Sequence, residues 1–312
     1  MKKFIKLLSC IVVISMILSV GAFAAFSDMP DGEKGAVIDR AVKNGLLTGF
    51  EDGTVRPDAP ITRAQMATIM TRALNATAEA DLSAFGDVNA NDWYYSAMAK
   101  AVYMEAFKGD GANLNPNNNI TRQEAMIVLS RIFDMPFSTM EVIDSYDDGN
   151  KVSVWAKNEV SRVITEGYVE KGGKLRPLDP MTRYEFAELI DNIITTYITE
   201  DGEYSAKDIP AGNILVKANN VSLNGVKNDR IFISDGVSGK VTLNGCEIER
   251  IVVRGGQCVL ASGKYSVARA IGAGSTVNII NLFKNGGMIE EVYGKPGKGT
   301  VFMPSANVDI QK

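Results

Sequence analysis

Three times along the chain a proline is followed five residues later by Thr-Arg: Pro57 to Thr62-Arg63, Pro116 to Thr121-Arg122, and Pro177 to Thr182-Arg183. Each Thr also stands 34 positions after an Asp that follows an aromatic residue by two, in Phe26/Asp28, Phe85/Asp87 and Tyr146/Asp148. Landmarks held at constant spacing through three copies define a tandem repeat with a period of about 60 residues. The copies occupy residues 26–80, 81–140 and 141–199, and a region of different character fills 200–312.

Each copy reads as helix, loop, helix. In the second, Trp93, Ala97, Ala101 and Met104 fall near helical spacing, Gly109 to Asn119 is rich in Gly, Asn and Pro, and Ile120 to Phe133 is helical again. The second helix of each copy opens with Thr62-Arg63-Ala64-Gln65, Thr121-Arg122-Gln123-Glu124 or Thr182-Arg183-Tyr184-Glu185. This is a capping box, with Ile61, Ile120 and Met181 at the staple position before it. Helix initiation does not explain the Arg, because a cation in the first turn opposes the helix dipole. Two uses remain for Arg63, Arg122 and Arg183: contact with an anionic ligand beside free helix amides, or a salt bridge to a repeat carboxylate such as Asp28, Asp87 or Asp148. A two-helix unit buries its apolar face only against its neighbours, so the copies pack together.

The repeats resemble S-layer homology domains, whose signature is an aromatic-x-Asp start and a Thr-Arg-x-Glu helix start. The resemblance covers roughly Phe26 to Ile198. It implies a pseudo-threefold helical bundle that binds a secondary cell-wall polysaccharide in grooves between repeats. It further implies that Arg63, Arg122 and Arg183 contact an acidic substituent, often a pyruvyl group, and that Trp93 and Trp155 pack on sugar faces. The leading Asp28, Asp87 and Asp148 carry over as site residues as well. The first copy departs from the pattern, with Lys34 where a Trp aligns and Gln65 in the acidic position. From the residues alone, Trp93 and Trp155 serve equally as core packing.

Lys2, Lys3 and Lys6, the apolar run Leu7 to Val20 and the small-residue pattern Ala22-Phe23-Ala24 read as a secretory signal peptide over residues 1–24. No later stretch is long enough to span a bilayer. Without the three signal lysines, 30 basic side chains face 37 acidic ones, a poor balance for binding nucleic acid. An anionic partner must therefore be held at local basic sites. His is absent, which removes the commonest general base and zinc ligand. Asp110-Gly111 with Asn113 and Asn115 lacks the spacing of a calcium loop and reads as a turn. No catalytic residue, metal site or cofactor is expected.

After Tyr197 the pattern changes to short apolar runs with Gly and Asn between them. Val221-x-Leu223-x-Gly225, Val241-x-Leu243-x-Gly245 and Val259-x-Ala261-x-Gly263 recur, with Val277-x-Ile279 after them and a second series at Ile231, Ile251, Ile271 and Ile289. Rungs of about 18 to 20 residues suggest a short β-solenoid, with a small β-sandwich as runner-up. Cys246 and Cys258 are either two buried thiols or one bridge. The expectation is a non-catalytic, exported cell-surface protein whose repeats anchor it to the wall polymer, with peptidoglycan as a further partner. The alternatives are a wall-targeted enzyme with its catalyst in 200–312, or a surface-lattice subunit that self-associates.

Overall fold

The computed structural model describes residues 26–270 and three further strands, at 278–281, 288–294 and 309–310. The signal-peptide stretch, Ile271 and Val277 lie outside the described residues. Among the described residues six α-helices build the repeats: α1 (Gly32–Lys43), α2 (Arg63–Ala73), α3 (Tyr95–Tyr103), α4 (Arg122–Ile132), α5 (Lys157–Thr165) and α6 (Arg183–Ile193). They alternate between the first and second helix of a repeat. All three second helices start with a complete capping box, Thr62 with Gln65, Thr121 with Glu124 and Thr182 with Glu185, each cap contributing ~1 kcal/mol.

The three copies close into a ring around the residues just before these caps. Ile61 N donates to Met181 O, Met181 N to Ile120 O, and Ile120 N to Ile61 O, at 2.9–3.0 Å, and all three side chains are buried. The positions expected to staple single helices thus also form the central junction of the bundle. Each helix start then leans on the loop of the next copy. Arg63 N and Ala64 N donate to Asn118 O and Pro116 O, Arg122 N and Gln123 N to Asp179 O and Pro177 O, and Arg183 N and Tyr184 N to Ala59 O and Pro57 O. The connecting prolines are part of these joints.

Residues 196–265 form a parallel β-solenoid of about four turns. Its strands are β1 (Thr196–Ile198), β2 (Gly202–Ser205), β3 (Ile214–Val216), β4 (Asn220–Asn224), β5 (Lys227–Ile233), β6 (Lys240–Val253) and β7 (Gln257–Ala270). They continue into β8 (Asn278–Asn281), β9 (Met288–Gly294) and β10 (Asp309–Ile310), and every pairing is parallel, which removes the sandwich alternative. The first strand starts a few residues before the expected boundary at 200. Ile214, Ile231 and Ile251 stack in register inside, as do Leu223, Leu243 and Leu260. One expected register is corrected. Val241 pairs with Cys258, not Val259, and Cys258 with Ile279, because Cys258 and not Val259 belongs to the buried interior cluster; the bulge at Asn244 is local, and the same offset resumes at Cys246 with Gly263. Both cysteines are free and buried, and burial pushes the Cys258 thiol up to about 12.

The solenoid is not tethered to the bundle but packed against it. Leu215, Phe232 and Val252 stack in register on one lateral face, and these side chains belong to the same buried cluster as the helices. Phe232 meets Phe133 edge-on at 4.9 Å. Gly236 N donates to Leu74 O, and a side chain at Gly236 would collide with the backbone of Asn75.

Candidate functional site: the clefts between repeats

The leading carboxylates are fully engaged with backbone. Asp28 accepts from Val55 N and Arg56 N at 2.7 Å each, Asp87 from Leu114 N and Asn115 N, and Asp148 from Leu175 N and Arg176 N. The second residue of each pair, Arg56, Asn115 or Arg176, holds a positive φ near 50°. That conformation costs ~1 kcal/mol for a side-chain-bearing residue, and two charge-assisted bonds per Asp hold it in place. The carboxylates therefore shape the loop that forms one wall of each cleft.

Arg63 and Arg122 form the expected salt bridge to a repeat carboxylate, but their partners are Glu124 and Glu185 and not a leading Asp. The amides at N1 and N2 of each helix are bonded to carbonyls of the next copy, and the N3 amide to the capping Thr, so they are not free for an anion. No Arg pairs with a leading Asp. Arg63 Nε donates to Leu114 O at 2.8 Å, and its other arm pairs with Glu124 at 3.1 Å. Arg122 repeats this one copy on, with Leu175 O at 3.0 Å and Glu185 at 3.1 Å. Glu124 and Glu185 thus serve twice, closing their own cap and holding the Arg of the preceding copy.

Arg183 completes the cycle differently. Its Nε donates to Val55 O and a terminal nitrogen to Thr48 O, both at 2.7 Å. The residue in the partner position is Gln65, and among the described residues no carboxylate forms an ion pair with Arg183. Its guanidinium lies 4.9 Å from the Phe50 ring centre, Arg56 lies 4.0 Å from the same ring, and Arg183 is only 5% exposed. Burial pulls the pKa of all three arginines below the ordinary value. Glu124 opposes this at Arg63 and Glu185 at Arg122, while Arg176 adds to it at Arg122 and Arg56 adds to it at Arg183, where Asp28 opposes it.

Trp93 and Trp155 are 67% and 61% exposed, which removes the core-packing reading. The clefts they line are assembled from several copies. A cleft of about 640 Å³ joins Arg63 of the first copy, the Phe107–Asp110 loop and α4 of the second, and Trp155 of the third. Its lining carries Arg63, Lys108 and Arg131 against Asp110 and Glu124, with Asn115, Asn118 and Asn119 beside them. Asp110 accepts from Ala112 N and Asn113 N, as a turn does. A second cleft, of about 900 Å³, contains Arg122, Lys171, Lys174 and Arg176 balanced by Asp58, Glu170, Glu185 and Glu188. Lys34, the residue in the Trp position, pairs with Asp58 and lies over Tyr184 there. The third, of about 430 Å³, holds Trp93, Arg72 and Lys100, but Arg183 is not in its wall. Among the described residues no cluster of acidic or thiol side chains suits a metal ion.

Family models match S-layer homology domains at residues 25–67, 84–126 and 145–187, so the chain carries three such domains in tandem. It is 33% identical over 190 residues to a surface-layer 125 kDa protein of Lysinibacillus sphaericus, covering 58% of this chain and 16% of that one. It is 30% identical over 174 residues to exoglucanase XynX of Acetivibrio thermocellus, covering 54% and 16%, and 28% identical over 240 residues to S-layer protein EA1 of Bacillus anthracis, covering 71% and 27%. The chain thus spans less than a third of the length of these relatives. The domains and the surface-layer relatives point to a cell-surface or secreted protein. Among the described residues no helix is long and apolar enough to cross a membrane.

Proposed function

We propose that the protein is held non-covalently in the cell wall by an anionic secondary wall polysaccharide seated in the cleft between Arg63 and Trp155. The observation that carries this reading is the convergence in one open cleft of a helix-start arginine, two further cations and an exposed indole. An acidic substituent, such as a pyruvyl ketal, faces Arg63 and Lys108, and a sugar ring stacks on Trp155 with its hydroxyls toward the Asn side chains. The cleft at Arg122 is charge-balanced and lacks the indole, so it contributes less. Arg183 is structural in this account. Asp28, Asp87 and Asp148 act by fixing the loops, not by touching polymer.

Relatives named as glycan-degrading enzymes and relatives named as surface-layer proteins both align with this chain, as a portable anchor would. Co-sedimentation with purified walls, before and after acid stripping of the non-peptidoglycan polymer, tests the proposal. Wild type is expected to sediment only with unstripped walls, and Arg63→Ala/Trp155→Ala with neither. Equal sedimentation with stripped walls would make peptidoglycan the partner.

A further inference from the structure

The polymer cleft has a wall that is pinned from outside the repeats. Arg254, in the turn after β6 of the solenoid, is 5% exposed and reaches into the helical bundle. Its Nε pairs with Asp235 at 2.8 Å, one terminal nitrogen donates to Ile132 O at 3.2 Å, and the other donates to Met104 O at 3.2 Å. Ile132 is the last residue of α4, and Met104 caps the end of α3. These carbonyls are among the orphan acceptors of the two helix ends, where a cation is favoured by both hydrogen bonding and the helix dipole. The two elements so joined are the walls of the Arg63–Trp155 cleft. The chain passes from Met104 through Glu105 into Ala106, Phe107 and Lys108, and α4 contributes Glu124, Ile127, Val128 and Arg131. Arg250, near the end of β6, pairs with Asp134 at 3.3 Å just past the end of α4.

We infer that Arg254 is a positioning residue for wall-polymer binding, and that the solenoid is thereby an integral part of the anchor. The fork of one guanidinium fixes the spacing between the 106–110 loop and α4, which sets the width of the cleft. Polymer binding and solenoid docking are then linked, each strengthening the other by the same factor. The inference rests on the cleft reading above for its ligand, but the pinning itself is readable without ligand.

A matched contact provides the control. Arg230 pairs with Glu166 and donates to Tyr168 Oη, joining the solenoid to the third copy, and neither Arg230 nor Glu166 lines the Arg63–Trp155 cleft. In the full chain, Arg254→Ala, Arg254→Lys and Arg230→Ala are compared by thermal unfolding, by hydrogen exchange, and by calorimetric titration with soluble non-peptidoglycan polysaccharide released from purified walls. Arg254→Ala is expected to bind at least ten-fold more weakly and to exchange faster at amides 106–110 and 124–131. Arg254→Lys, which keeps the charge beside Asp235 but cannot reach both carbonyls, is expected to lose affinity with little loss of stability. It serves alone if Arg254→Ala does not fold. Arg230→Ala is expected to lose comparable stability and less than two-fold in affinity. Unchanged exchange and affinity in folded Arg254 variants would overturn the inference, as would equal losses in Arg230→Ala. If wild type fails to bind the polysaccharide, the cleft reading fails, while the exchange comparison still decides whether Arg254 sets the cleft walls.

Discussion

The cleft at Arg63 and the pocketed Arg183 begin from the same motif and end in opposite places. Both arginines follow a capping Thr and both donate Nε to a loop carbonyl of the next copy. Arg63 meets Glu124 and opens onto a cleft with Trp155, whereas Arg183, with Gln65 in the equivalent position, turns its second arm to Thr48 O and lies buried beside Phe50 and Arg56. The carbonyl bond is the shared, architectural part of the motif. What the second arm of the guanidinium finds decides whether a copy can also receive a ligand.

The comparison breaks most sharply at Arg183. Arg183→Ala strands the buried Val55 carbonyl, gives up the bond to Thr48 O and empties the space beside Phe50, so it is expected to cost about 1–3 kcal/mol in chemical denaturation. Polymer affinity per folded molecule is expected to be unchanged. Gly236→Ala, which forces a side chain against the Asn75 backbone at the solenoid interface, is expected to lose about 1–3 kcal/mol by the same measurement.

Smaller effects sharpen the contrast. Gln65→Glu supplies the third copy's arginine with the carboxylate that Glu124 and Glu185 provide elsewhere, for a gain of about 1 kcal/mol near neutral pH. A carboxylate whose pKa falls on folding stabilises the fold only in its charged form. Its contribution is therefore present above the unfolded carboxylate range and lost as pH falls through the folded value. Glu185 already behaves so. Burial raises its pKa, but the Thr182 amide, Arg122 and Arg176 outweigh that and lower it, so Glu185→Gln is expected to flatten the acid limb of the stability profile. The smallest effect is chemical: with its pKa pushed up to about 12, Cys258 is expected to resist thiol reagents at neutral pH until the solenoid unfolds.

The parts of this molecule that repeat were legible in the chain. The capping boxes, the central ring residues and the rungs of the solenoid follow from local chemistry at constant spacing. Partnership across copies was not, because it depends on the cyclic order in which the copies close. Arg63 and Trp155 lie in different repeats, and the alignment of the copies does not specify which Arg shares a groove with which Trp. One signal was present: the Glu three residues after each cap had a second oxygen to spare, and its replacement by Gln65 marked the odd cleft. The docking of the solenoid was also encoded in Ile214-Leu215-Val216 and Ile231-Phe232-Ile233. Their central residues point away from the solenoid interior yet stay apolar, as strands buried on both faces do.

The central claim is that Arg63 and Trp155 act in a single polymer site. A double-mutant cycle on affinity for the released wall polysaccharide tests it most directly, using Arg63→Ala and Trp155→Ala alone and together, with Arg122→Ala and Trp155→Ala as the reference pair. The account predicts a coupling energy above ~0.5 kcal/mol for the first pair and additivity for the second. Additive losses in the first pair, or equal losses from all three Thr-Arg arginines, would contradict it.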